Sequence, residues 1–299
     1  MIPVKVLFII NTKSGNRLGA GLEAIISEES RKTGFEYQIY RLHQDNTEQM
    51  IREEIDEFKP DVVAAAGGDG TVNLMSKILC DSELPLLIIP AGSANGMAKE
   101  LGIGNRIESA LSLLTTGVRR KIDLLKINNI HCIHLADVGL NARIVKRFEN
   151  DVRRGMLTYA KHLLAEIFLI RQYRFHITTD GESIVRKAVS LTFANASKYG
   201  TGVVINPIGK LDDGKFELVI IKPFPRAKLL SIAWKMFNGT LQTSEYAEVI
   251  RSGKASIRTS RRTTLQVDGE VIGKTRQIEV RILPGALTVI TPRQEEPGS

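Results

Sequence analysis

The sequence predicts an α/β domain built on a parallel sheet with helices on both faces, followed by a mainly β sandwich domain. Three observations carry this. Through about residue 124, strand and helix patterns alternate strictly, the order that yields a parallel sheet covered on both sides. Three glycine-rich loops (11–21, 67–71 and 90–96) each follow a strand, so all fall at the carboxyl edge where such sheets bind ligands. After Asp123 the pattern shifts to short strands with frequent turn signals, the mark of a sandwich. The expected division is 1–124 and 125–299, with the last strand free to return to the first domain.

In order, Val4 to Ile10 reads as a strand, Leu22 to Lys32 as a helix, Phe35 to Leu42 as a strand and Thr47 to Lys59 as a helix. The run Val62-Val63-Ala64-Ala65-Ala66 is small or β-branched throughout, as in a strand buried on both faces. It ends at Gly67-Gly68-Asp69-Gly70-Thr71-Val72-Asn73, in which Thr71 can cap a helix running on through Leu79. Leu84 to Ile89 is a strand, and Met97 to Leu101 and Ile107 to Leu114 are helical. Beyond Asp123, strands are expected at 123–127, 131–135, 174–179, 188–194, 216–221, 255–259, 264–267, 277–282 and 287–291. Helices at 155–171 and 226–237 interrupt them, and a polar tail follows Pro292.

A strand, a glycine turn and a helix N-terminus together form an anion site, because free N–H groups and the helix dipole converge there. Asp69 inside that turn repels phosphate unless a metal or a proton transfer accounts for it. The competing view makes Gly-Gly-Asp-Gly a tight turn and nothing more; its place behind a buried strand argues for the anion site.

The 299 residues carry 41 Lys and Arg against 33 Asp and Glu, a net charge of +8, which suits an anionic partner: a nucleotide, nucleic acid or acidic membrane surface. Basic residues are dispersed and aromatics few, so nucleic acid is disfavoured. Cys80 and Cys132 supply neither a disulfide framework nor a zinc site, which points to a reducing, cytoplasmic setting. The apolar start runs straight into a polar glycine loop and reads as a strand, not a leader. No apolar run is long enough to span a bilayer. The P-loop, Rossmann and Gly-x-Ser-x-Gly patterns are all absent. His131 and His134, three apart in a strand, would face opposite sides and share no metal.

Asn11-x-x-Ser14-Gly15, Gly67-Gly68-Asp69-Gly70-Thr71-x-Asn73 and Pro90-x-Gly92-Ser93-x-Asn95 together resemble the diacylglycerol kinase catalytic-domain superfamily in order and spacing. Within it the chain looks like the soluble bacterial lipid kinases, relatives of sphingosine kinases. The resemblance continues through Ile122-Asp123-Leu124, Asp137-Val138-Gly139-Leu140-Asn141-Ala142, Arg154-Gly155-Met156-Leu157-x-Tyr159, Tyr199-Gly200-Thr201-Gly202, Leu211-Asp212-Asp213-Gly214 and Val267-Asp268-Gly269-Glu270. Its glycine element also occurs in NAD kinases and phosphofructokinases, which implies their kind of fold for the first domain.

The resemblance implies ATP lying across the three loops, with Asn11, Ser14, Gly15, Gly67, Gly68, Asp69, Gly70, Thr71, Asn73, Ser93 and Asn95 as its contacts, and Mg²⁺ accompanying it. It implies an acceptor-hydroxyl base among Asp268, Glu270 and Asp69. In an extended segment Asp268 and Glu270 would share a face. It further implies a structural Mg²⁺ on the Asp213 side chain with the Lys210 and Lys215 carbonyls, and a charged network at Asp123, for which a surface salt bridge is the alternative. The implied substrate is diacylglycerol or a related lipid alcohol, met at an acidic membrane surface by a peripheral protein on its inner face; a homodimer is compatible with this. The alternatives are a kinase for a soluble substrate such as NAD and a catalytically silent lipid-binding regulator.

Two departures stand out. Thr12 replaces a usual proline, and Asn95-Gly96-Met97-Ala98-Lys99 replaces Asn-Asp-Phe-Ala-Arg, which loses a carboxylate and leans towards the sphingosine kinases. The helices at 155–171 and 226–237 carry apolar stripes flanked by basic residues. Covering one face of the sandwich is the preferred reading, and docking on acidic lipid is the alternative.

Overall fold

The structure is a computed structural model that describes residues 4–11, 18–43, 45–140, 171–198, 204–228, 231–232, 234–235 and 238–293. Ser14, Gly15 and the helix expected at 155–171 (but for Arg171) lie outside them. The chain forms two compact units, residues 1–122 with 285–299, and residues 123–284.

The first unit contains β1 (Lys5–Asn11), α1 (Leu18–Thr33), β2 (Glu36–Leu42), α2 (Glu48–Phe58), β3 (Val62–Gly67), α3 (Asp69–Ile78), β4 (Ser82–Pro90), α4 (Gly96–Glu100) and α5 (Ile107–Thr116). Strands β2, β1, β3 and β4 lie side by side, all parallel. Residues 287–289 continue the sheet beyond β4, also in parallel. Every residue of β3 is buried, as its unbroken apolar run requires. Helix α1 packs with α5, and α2 with α3. Thr47 caps α2 by accepting the Met50 N–H at 3.3 Å, while Lys59 closes it in the left-handed region.

The chain continues along β5 (Val118–Ile127), β6 (Ile130–Cys132), β7 (Leu135–Gly139), β8 (Tyr173–Thr179), β9 (Ser183–Ala188), β10 (Ser190–Ala194), β11 (Phe216–Ile221), β12 (Ala247–Ser252), β13 (Lys254–Val267) and β14 (Glu270–Thr291), of which residues 118–122 and 285–291 belong to the first unit and the rest to the second. One layer runs β12, β11, β10, β7, all antiparallel. Long β13 belongs to both layers: residues 265–267 pair with β7, and residues 255–259 pair with β8. Its antiparallel partner β14 and the β8–β9 hairpin complete the second layer. Between them lies an apolar core including Phe175, Ile177, Phe193, Phe216 and Leu218.

The opposite face of β10 and β11 is covered as expected from part of the segment 226–237. Ile232 is 5% exposed and packs with Val189, Val219 and Leu241. The sequence missed β9 and β12, and the strand expected over 131–135 is interrupted at Ile133 and His134.

Candidate active site

In the first unit the glycine element and the 90–96 loop meet backbone to backbone. Helix α3 begins one residue after Gly68, which is its N-cap in extended conformation without a side-chain bond. Thr71 is therefore not the cap. It lies buried in the first turn, where its hydroxyl accepts the Asn11 side-chain amide at 3.2 Å, tying the end of β1 to the glycine turn. A Cβ on Gly67 would collide with that Thr71 side chain. A Cβ on Gly92 would overlap the Gly68 Cα, so Gly92 has to lack a side chain.

Asn95 takes the left-handed conformation (φ 51°) and clamps this loop. Its Oδ1 accepts the Gly92 N–H and its amide donates to the Gly92 carbonyl, both at 2.9 Å. Asp69 Oδ1 in turn accepts the Met97 N–H at 3.2 Å, fixing α4 against the start of α3. Asp69 thus lies in the first turn of a ten-residue helix, where the dipole favours a negative group. Ser93 is exposed, and an open pocket of about 470 Å³ adjoins it, bounded by residues 90–95, Lys99 and residues 105–108. The Asn73 Oδ1 is buried and has no hydrogen-bond partner among the described residues, a polar atom suited to a ligand or water. A backbone cradle at a helix N-terminus fits a nucleotide's phosphates.

In the second unit, Asp268 and Gly269 (φ 47° and 89°) form a two-residue turn joining β13 to β14, with Val267 opposite Glu270. Asp-Gly with both residues at positive φ is the favoured tight hairpin. Asp268 is therefore not in an extended segment and shares no face with Glu270: its carboxylate turns inward, while Glu270 is exposed. Asp268 Oδ1 accepts the N–H groups of His134 and Leu135 at 3.0 and 3.1 Å and the Cys132 thiol at 3.2 Å. Its Oδ2 accepts the Ile133 N–H at 2.9 Å. These bonds fill the break between β6 and β7. Burial pushes the Asp268 pKa up, against the opposing pull of nearby His134 and the donated N–H groups. Burial and the Asp268 charge push the Cys132 thiol up as well, so it serves as a donor.

Two residues not singled out from sequence steady the hairpin. Gln266 accepts the Gly269 N–H at 2.7 Å, and its amide donates to the buried Asp137 carboxylate. Asp137 lies in a run already noted, whereas Gln266 carries no local signal.

Asp123 is 2% exposed, which rules out a surface salt bridge. Its Oδ2 accepts the Gly214 N–H at 2.7 Å, its own N–H donates to the Leu211 carbonyl at 2.6 Å, and its carbonyl accepts the Asn195 amide at 2.8 Å. It therefore anchors the 211–214 turn. In that turn Asp213 spends both oxygens on donors, Oδ1 on the Lys215 N–H at 3.1 Å and Oδ2 on the Arg251 guanidinium. Among the described residues no group of three or more His, Cys, Asp or Glu side chains is arranged around a metal. The Arg251 guanidinium thus sits on the Asp213 carboxylate of this turn, where a divalent ion would meet like charge.

The chain thus carries a parallel α/β unit with a glycine turn at a helix N-terminus and a β-sandwich unit with an Asp-Gly hairpin. Residues 5–127 match the diacylglycerol kinase catalytic domain, and residues 135–291 match the YegS C-terminal NAD kinase beta sandwich-like domain. The chain belongs to this family of diacylglycerol kinase and YegS-like lipid kinases. A protein of Synechocystis sp., sll0036, is 30% identical over 77% of this chain, which spans about half (54%) of that relative's length. The diacylglycerol kinase of Mycobacterium tuberculosis is 28% identical over 78% of this chain and 77% of its own. The crystal structure of a diacylglycerol kinase from Bacillus anthracis str. Sterne superimposes with a TM-score of 0.73, at 20% identity and over 97% of this chain and 98% of that one. That likeness is one of fold. Among the described residues, no helix is long and apolar enough to cross a membrane.

Proposed function

We propose that this protein transfers the γ-phosphoryl group of ATP to the hydroxyl of diacylglycerol or a related lipid alcohol. The observation that carries the reading is the backbone cradle of Gly67, Gly68, Asp69 and Gly70 at the start of α3, locked by Gly92 against Gly68. Phosphoryl transfer requires positioning and charge neutralisation more than covalent chemistry from the protein. The first N–H groups of α3 lack helical carbonyl partners by geometry and bind the phosphates. Thr71 and Asn11 hold the turn in place, and Ser93 and Asn95 border the pocket that takes the remainder of the nucleotide. Mg²⁺, carried with ATP, supplies further neutralisation of phosphate charge.

The acceptor hydroxyl loses its proton as the new O–P bond forms and ADP leaves. Of the three candidate bases, Asp268 has its oxygens taken by three backbone N–H groups and a thiol, which assigns it a positioning role. Glu270, two residues on and exposed, is the carboxylate we assign as base. Asp69 positions the 95–97 backbone through Met97. Contact with the acidic lipid surface is assigned to the segment around Trp234, which is 67% exposed and accompanied by Lys228 and Lys235.

The test is transfer of labelled γ-phosphate from Mg-ATP into mixed micelles of diacylglycerol, monoacylglycerol, sphingosine, ceramide or phosphatidylglycerol, with NAD as the soluble acceptor. Label in one lipid is the expected result and names the substrate. Label in NAD would move the protein to the soluble kinases. ATP binding with no labelled product would favour the silent regulator.

A further inference from the structure

Arg251 in β12 stands directly opposite Glu217 in β11. Its Nε donates to Glu217 Oε1 at 2.9 Å, and its Nη2 donates to Asp213 Oδ2. Glu217 Oε2 takes the Asn206 amide at 2.6 Å. The Glu217 side chain is 1% exposed, that of Asp213 21% and that of Arg251 44%. Two carboxylates from separate elements thus converge on one positive group, the arrangement a divalent cation would otherwise organise. A guanidinium suits it because its planar fork presents two N–H donors at a fixed separation, one to each carboxylate.

We propose that Arg251 is the built-in cation of this turn, standing in for a resident divalent metal and making the turn's structure metal-independent. The device reaches further into the unit. Holding Asp213 fixes Gly214, whose positive φ of 68° aims its N–H at Asp123. A mobile metal is thereby exchanged for a side chain that no chelator removes. A divalent ion added here would have to displace a guanidinium already paired with both carboxylates, with like charge repelling it throughout.

The test uses the full chain without nucleotide, so it is independent of the kinase reading. Mn²⁺ binding is followed by electron paramagnetic resonance, and thermal melting is recorded with and without MgCl₂ or EDTA. The wild type is expected to take up no stoichiometric Mn²⁺ and to melt at the same temperature in all three conditions. Arg251→Met is expected to melt lower, by on the order of 5–10 °C, because it strands a buried carboxylate. Arg251→Met with Glu217→Gln is expected to recover part of that loss. One tight Mn²⁺ per wild-type chain, abolished by Asp213→Asn, would overturn the proposal, as would an Arg251→Met protein that melts like the wild type. Should Arg251→Met not fold, the wild-type Mn²⁺ titration decides alone.

Discussion

Gly92 and Gly68 pack so closely that a Cβ on Gly92 would overlap the Gly68 Cα. No flexible side chain is available to yield at that contact. Gly92→Ala is therefore expected to push the 90–96 loop off the glycine turn and to lower phosphoryl transfer by at least about 100-fold, the scale at which small misplacements act. The core of the sheet lies elsewhere, so the circular dichroism spectrum should stay that of the wild type. Steady-state kinetics with a spectroscopic check of folding measures both.

Asp69 accepts the Met97 N–H. Asp69→Asn keeps an oxygen for that bond and removes the charge, whereas Asp69→Ala removes both. If Asp69 only positions the backbone, Asn should retain activity within about 10-fold and Ala should lose far more. Equal, near-complete losses would instead mean that the charge itself is needed.

Asp268 and Glu270 should separate by the kind of damage they cause. Asp268→Ala leaves three buried N–H groups without their acceptor and is expected to cost about 3 kcal/mol or more of stability, read by denaturant melts. Glu270→Gln alters an exposed side chain, so melting should hardly move while kcat falls by about 10²–10⁴. A Glu270→Gln enzyme turning over at the wild-type rate would remove its assignment as base.

Trp234 is the chain's one tryptophan, so its intrinsic emission reports a single site. Vesicles containing phosphatidylglycerol are expected to shift that emission to the blue, and brominated acyl chains to quench it; neutral phosphatidylcholine vesicles should do neither. Added salt should weaken the response, since each lysine near an anionic surface contributes about 1 kcal/mol. Emission unchanged by any vesicle would take Trp234 out of the membrane contact.

Glu248 gives the clearest pH dependence. The Arg186 guanidinium, followed by Lys222, holds its pKa below the ordinary carboxylate value. A depressed carboxylate adds stability above its unfolded pKa and loses that contribution as pH falls through the folded value. Glu248→Gln should therefore cost about 1 kcal/mol at neutral pH, and the gap between variant and wild type should close on the acid side of the carboxylate range. Urea titrations at stepped pH would show it.

Legibility followed how local the cause was. Strands β1 and β3 were readable because a strand buried on both faces is an unbroken apolar run, and the Asn11, Gly68–Asn73 and Gly92–Asn95 groups were readable as loops at strand ends. Strands β9 and β12 mix charged and apolar residues, since each is only partly covered, and were missed. Asp268 was misplaced because the alternation along β13 was carried through a turn that Asp-Gly in fact makes. Arg251 carries no local signal at all. Its carboxylate partners lie 38 and 34 residues away, so only the β11–β12 pairing brings them together.

Residues 287–289 complete the first unit's sheet beside β4, and Ile290 packs where a Cβ on Gly117 would intrude. During synthesis, therefore, β4 is made some two hundred residues before its outer neighbour. Over that interval Leu86 to Ile89 form an open edge of apolar strand, the kind of edge that pairs with other chains. The first unit completes its sheet only after the sandwich has emerged, so the two units mature in the reverse of their reading order. A nascent chain stalled before residue 285 would expose that edge to chaperones.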